Sequence, residues 1–180
     1  MSERQAEILR AENLLQECME MLRKEGIPVS EHILGIVINP RIRSRFGSCR
    51  RVEERNKRGR VIKTAGYRIE LSRHMMDCGD EDIKTILFHE LLHTCPRCMN
   101  HGRTWKTYAD HLNKKYGLNI KTTARYSDFG MEEPAGREEV KYRIVCQSCG
   151  QELARKRRCS LVENTDRYRC GKCGGMLKIL

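Results

Sequence analysis

No stretch of this 180-residue chain is apolar for long enough to cross a bilayer, which excludes a helical membrane span. The opening Ser2-Glu3-Arg4-Gln5 is polar and lacks the apolar core of an export signal, so neither a signal peptide nor a membrane partner is expected. There is no internal repeat apart from two cysteine knuckles near the end, which excludes a solenoid. Disorder is excluded by 39% hydrophobic residues beside 33% charged ones. Ten cysteines in a secreted chain would suggest a disulfide scaffold. Here six of them fall in three Cys-x-x-Cys pairs without an export signal, and metal binding in a reducing cytoplasm is the expectation. The length suits one sizeable domain and a small module.

The net charge of +11 is unevenly spread. Arg41 to Arg60 holds nine basic and two acidic residues, and Val140 to Leu180 holds ten basic and three acidic. Such patches attract a phosphate backbone through counterion release. Arg41, Arg43 and Arg45 in the first, and Arg155-Lys156-Arg157-Arg158 in the second, are the candidate nucleic-acid contacts. A solvated, solubilising surface is the plainer reading, since no base-reading motif accompanies either patch.

Ser2 and Gln5 form a capping-box pattern ahead of a helix over 3–25, with Ile8, Leu15, Cys18, Met19 and Leu22 on one face. Gly26 and Pro28 close it. Ile33 to Asn39 reads as a strand ended by Asn39-Pro40. Arg43 to Val52 and Val61 to Leu71 read as two more around the turn Glu53 to Gly59, with a bulge at Gly66. Cys18, Cys49 and Cys78 read as buried thiols. His74 reads as a packed or solvated side chain at a strand end.

The richest stretch is Asp80 to Trp105. Asp80, Glu81 and Asp82 set negative charge at a helix N-terminus, and Ile83, Ile86, Leu87, Leu91 and Leu92 give that helix, over 80–94, a buried face. His89 and His93 stand four residues apart, so both imidazoles project from one side. One zinc ion takes two nitrogens at that spacing, with Glu90 beside them as the general base for water. A catalytic zinc needs a third protein ligand. His101, followed by Gly102, is preferred over His111, which lies within a second helix over 103–116. Cys95-Pro96-Arg97-Cys98 allows a redox dithiol, a further metal site, or a pair of reduced thiols shaping the loop; the last is preferred.

His89-Glu90-Leu91-Leu92-His93, Asn100-His101-Gly102 and Trp105 together resemble the SprT-like metallopeptidases, relatives of the Spartan proteases that degrade proteins crosslinked to DNA. Asn39-Pro40-Arg41 to Gly47-Ser48-Cys49, the strand Tyr67 to Ser72 and the terminal cysteines agree with that resemblance. It implies an α+β fold: a gluzincin-like core over 1–130 with a short, mainly antiparallel sheet packed on helices. A linker over 131–139 and a zinc ribbon over 140–180 follow. It also implies protein substrates, with DNA as a partner through the basic patches, and association with the nucleoid in a bacterium. Cys95-Pro-Arg-Cys98 is where this chain departs from the family pattern.

Gly117 to Glu139 loses periodicity, although Tyr126 and Phe129 are expected to pack on the core. Cys146-x-x-Cys149 and Cys170-x-x-Cys173 are spaced as a zinc ribbon. Four thiolates leave no open position, so that zinc is structural. Tyr142 to Val145 and Tyr168-Arg169 read as strands entering the knuckles, and Cys159 is spare. Three functions follow: a zinc endopeptidase working through Glu90, a non-catalytic DNA-binding ribbon protein of transcription or repair, or a zinc hydrolase acting on some other amide through the same site. The oligomeric state is not legible.

Overall fold

The structure, a computed structural model, describes residues 2–42, 44–132 and 140–180. Of the expected linker 131–139, residues 133–139 lie outside this description, and so does Arg43. The described residues form two compact units, divided after Glu132. No helix among them is long and apolar enough to cross a membrane.

The first unit begins with α1 (Glu3–Lys24). The Ser2 hydroxyl accepts from the Gln5 N–H at 3.3 Å, and the Ser2 N–H donates to the Gln5 side chain at 2.8 Å. These bonds satisfy donors a helix start otherwise leaves unpaired. Ala11, Leu14, Leu15, Cys18, Met19 and Leu22 are buried, and α1 packs against β1 (Ile33–Asn39) and α2 (Asp80–Leu92). Ile8 is only half-buried.

The sheet is mixed, which corrects the mainly antiparallel arrangement expected. Its order is β1-β3-β2, with β2 spanning Gly47–Arg55 and β3 spanning Val61–Ser72. β2 pairs antiparallel with β3, as a hairpin must, but β1 runs parallel to β3. The cause is the connection from β1 to β2, whose residues 40–42 and 44–46 carry the chain across the end of β3 instead of turning back beside β1. Ser72, fully buried, pins that loop: its N–H donates to the Phe46 carbonyl at 2.7 Å and its hydroxyl to the Ile42 carbonyl at 2.9 Å. Residues 44–46 are therefore loop and not strand, with Phe46 anchored against Tyr126 and Phe129 at ring separations of 4.7 and 4.9 Å. The β2–β3 turn lies at Asn56–Arg60, held by the Asn56 N–H on the Arg60 carbonyl at 2.9 Å. The register slips between Val52, opposite Gly66, and Glu53, opposite Thr64. That slip is the bulge expected at Gly66.

α2 and α3 (Arg103–Tyr116) complete the core. Cys49 and Cys78, expected buried, are half-buried. Cys49 lies on the edge strand β2, and Cys78 rests its sulfur 3.5 Å from that of Met131. His74 sits in a 3-10 turn after β3, not on the strand.

The second unit is a three-stranded antiparallel sheet of β4 (Tyr142–Cys146), β5 (Glu152–Arg155) and β6 (Leu177–Ile179), with a single-turn α4 (Ser160–Glu163). Its buried centre is Ile144, Cys146, Val162, Cys170 and Leu177. Two of those five are candidate metal ligands, so apolar burial alone gives this unit little. The strand expected at Tyr168-Arg169 is reduced to one bridge, Arg169 to Met176.

Candidate metal centre

α2 delivers its ligands from a helix end that changes pitch. Ile83, Leu87, Leu91 and Leu92 are fully buried and hold it against the core. The helix stops at Leu92, two residues earlier than expected, with His93 as its cap. His93, Thr94 and Cys95 donate to the carbonyls three residues back, at 3.2, 2.9 and 3.2 Å. Such a tightening is common where a helix ends. Cys95-Pro96-Arg97-Cys98 then closes a turn, the Cys98 N–H donating to the Cys95 carbonyl at 3.1 Å with Arg97 at φ +62°. Proline second and a left-handed residue third are the marks of a type II turn. A side chain in that conformation costs about 1 kcal/mol. In return the turn places the Cys98 carbonyl 2.7 Å from His93 Nδ1.

That contact and one other decide the chemistry. His89 Nδ1 lies 2.8 Å from the Lys121 carbonyl. A carbonyl can only accept, so both Nδ1 atoms carry protons and both Nε2 atoms are bare lone pairs. Yet His89 Nε2 stands 3.3 Å from His93 Nε2 and 3.0 Å from His101 Nε2. The His89 and His93 nitrogens, both bare, repel one another at that distance unless a cation lies between them. A tetrahedral ion with bonds of about 2.0–2.1 Å would hold its ligand atoms about 3.3–3.4 Å apart. The three residues therefore fit a metal of zinc's size, and the two carbonyls are the outer contacts that orient such ligands.

Burial, then the neighbouring charges of His93 and His101, pull the His89 imidazole down to about 4. His93 and His101 are lowered too, in each case mainly by burial. All three rings are thus neutral at neutral pH, as ligands must be. Burial pushes the Glu90 carboxyl up to about 8, against the opposing pull of the Cys49 backbone and Arg45. Trp105 packs behind the site, its ring centre 4.6 to 5.8 Å from all three imidazoles. Its buried Nε1 has no partner among the described residues.

His101 joins His89 and His93; His111 does not. His111 instead meets Glu25 at 2.7 Å, in a cluster with Lys115 and Tyr116 that ties the end of α1 to α3. Cys95 and Cys98 are buried, burial pushing Cys95 up to about 12. Among the described residues no third ligand gathers with them. Arg45 lines a recess with Glu90 and His89, and Arg41 lies exposed on the loop before it. Lys156, Arg157 and Arg158 are exposed, and Arg155 ends β5 half-buried. The contacts the residue pattern did not announce are the carbonyls of Cys98 and Lys121, because a backbone group carries no residue signature.

In the second unit Cys146, Cys149, Cys170 and Cys173 gather with their sulfurs within 4.8 Å of one another. The Cys146–Cys173 and Cys149–Cys170 separations are 3.5 and 3.7 Å. Tetrahedral bonds of about 2.3 Å would set them about 3.8 Å apart. Gly150 and Gly174, at φ +70° and +74°, end the two knuckles alike, their N–H groups donating to the Cys146 and Cys170 carbonyls. Left-handed backbone there favours glycine. Backbone N–H groups of Cys149 and Ser148 help pull the Cys146 thiol down to about 6, toward the thiolate a metal needs.

The SprT-like family model matches residues 12–124. A curated relative named Protein SprT-like from Enterococcus faecalis is 33% identical over 128 residues, covering 66% of this chain and 75% of the relative. One of the same name from Bacillus subtilis is 29% identical over 121 residues, covering 67% and 73%. Germ cell nuclear acidic protein of Drosophila melanogaster is 28% identical over 144 residues, 77% of this chain but only 12% of that protein. No solved structure matches the chain. The family model spans both metal-helix histidines, the third histidine and the strands that flank them, and the chain belongs to the SprT-like family.

Proposed function

We propose that this protein is a zinc-dependent endopeptidase with a gluzincin-like core and a structural zinc ribbon. The observation that carries this reading is the trio of converging imidazole nitrogens, two of them bare, beside the buried Glu90 carboxyl. His89, His93 and His101 would hold the catalytic zinc; Cys146, Cys149, Cys170 and Cys173 would hold the structural one. When bound, zinc supplies Lewis acidity, polarising a carbonyl and lowering the pKa of water. Glu90 takes a proton from the attacking water and returns it to the leaving amine. Among the described residues the sheet order leaves the outer edge of β2 unpaired beside α2, where an extended substrate can add as a further strand. Substrates would be proteins associated with or crosslinked to DNA, with Lys156, Arg157, Arg158 and Arg41 tethering the enzyme to phosphates.

Glu90→Gln tests the chemistry: it should keep both zinc ions and abolish cleavage of an unfolded protein substrate. Equal activity in the two proteins would remove the reading. Arg157→Ala/Arg158→Ala tests the tether, and should weaken DNA binding in a salt-dependent way while leaving cleavage of a free peptide unchanged.

A further inference from the structure

Beside Glu90 and farther along β2 lie arginines that are sparsely partnered among the described residues. A recess of about 160 Å³ is bounded by Arg45, Gly47, His89, Glu90, Thr122 and Thr123. The Arg45 side chain is 47% exposed and its ion pair with Glu70 is long, at 3.9 Å. Glu70 is already engaged by Arg50 at 3.3 Å and by the Ser48 hydroxyl at 3.4 Å. Farther along β2, two residues beyond Cys49, a recess of about 470 Å³ is lined by Arg51, Tyr67, Pro96, Arg97, Met99 and Asn100. Arg51 and Arg97 are exposed. Among the described residues Arg45, Arg51 and Arg97 donate no side-chain hydrogen bond, and neither Arg51 nor Arg97 has an ion-pair partner. Arg97 holds its place through the left-handed turn that also aims the Cys98 carbonyl at His93.

We infer that these arginines select peptides carrying a carboxylate side chain on each side of the bond at the metal site. A guanidinium offers five donors in a planar fork matched to a carboxylate, and here one stands beside Glu90 and two line the recess farther along β2. Glu90 and His89 form part of the first recess, so its occupant is continuous with the reacting segment. A small recess beside the reaction centre admits an aspartate or glutamate side chain and excludes the width of a duplex. The inference rests on the endopeptidase reading for the identity of the cleft, but its test is binding.

The zinc-loaded full chain carrying Glu90→Gln is titrated with four extended peptides of one sequence. They bear Glu on both sides of the central bond, on the N-terminal side only, on the C-terminal side only, or Gln on both. Each Glu should tighten binding about tenfold over Gln. Arg45→Gln should erase the preference on one side, and Arg51→Gln/Arg97→Gln the preference on the other, with zinc content unchanged. Four equal affinities would overturn the inference, as would a preference that survives all three substitutions. A short DNA duplex that displaces the doubly acidic peptide, and loses that power with the same substitutions, would also overturn it by assigning the arginines to phosphates. Cleavage of the same peptides by the chain with Glu90 intact separates the two readings. A binding preference without any cleavage removes the peptidase and keeps the inference; cleavage without an acidic preference does the reverse.

Discussion

Gly47 lies so close to Glu90 that a Cβ placed on it would stand 2.7 Å from the Glu90 carboxylate oxygen and 2.9 Å from its Cγ. The first residue of β2 thus forms one wall of the slot that holds the carboxylate, and the wall works because it has no side chain. Gly47→Ala should push Glu90 aside while leaving the histidines in place. A displacement of about 1 Å near a reaction centre costs about a hundredfold in rate. We expect Gly47→Ala to retain two zinc ions by elemental analysis and to cleave a peptide about a hundredfold more slowly; full activity would mean that Glu90 has room the packing denies.

Trp105 is the only tryptophan in the chain, and it touches all three candidate ligand rings. Its fluorescence should therefore report occupancy of this site. Replacing zinc with cobalt should quench it, His101→Ala should abolish that response, and Cys170→Ser should not. Quenching that survives His101→Ala would place the bound ion elsewhere.

The second unit's buried centre consists of Ile144, Val162 and Leu177 beside two candidate ligand cysteines. Without metal that is too little to offset the entropy of ordering some forty residues. Cys170→Ser should lower the zinc count by one. Amide exchange should then rise sharply across 140–180 while α2 and β3 keep their protection. Retained protection in the ribbon would show that its strands hold without the ion.

Two carboxylates should give the metal-free protein opposite responses to pH. Burial raises Glu90 from 4.5 to about 8, so its contribution is fully present below about 4.5 and is lost as pH rises through about 8. Glu90→Gln keeps the neutral form at every pH. Its stability advantage over the unsubstituted chain should therefore grow from pH 5 to pH 8, by at most about 1.4 kcal/mol per pH unit. Lys115, then Tyr116 and His111, lower Glu25 from 4.5 to about 2, so its contribution is present above about 4.5 and is lost as pH falls toward about 2. Glu25→Gln should destabilise at pH 7 and make no difference near pH 2. Urea midpoints across this range check both; two flat profiles would contradict the burial of Glu90 and the pairing of Glu25.

Local chemistry was legible in the residues, and long-range pairing was not. His89, Glu90 and His93 announce themselves because four residues make just over one helical turn. Position along the chain and the Gly102 that follows favour His101 over His111; what the residues do not show is that Glu25, far away in sequence, meets His111. The cysteine knuckles and the capping box at Ser2 are equally local. The parallel pairing of β1 with β3 escaped the residue pattern because it depends on Ser72 pinning a loop 30 residues earlier in the chain. Ile42 and Phe46, spaced among arginines, look like the buried side of a strand, yet they anchor that loop. Cys95-Pro96-Arg97-Cys98 read as loop-shaping thiols. Its turn also lends a carbonyl to His93, a use no cysteine pattern signals.

The claim on which the rest depends is that three imidazoles share one ion, and zinc counting in single variants tests it most directly. The full chain should bind two zinc ions, His101→Ala and Cys170→Ser one each, and His111→Ala still two. A loss of zinc in His111→Ala, or two ions retained in His101→Ala, would contradict it.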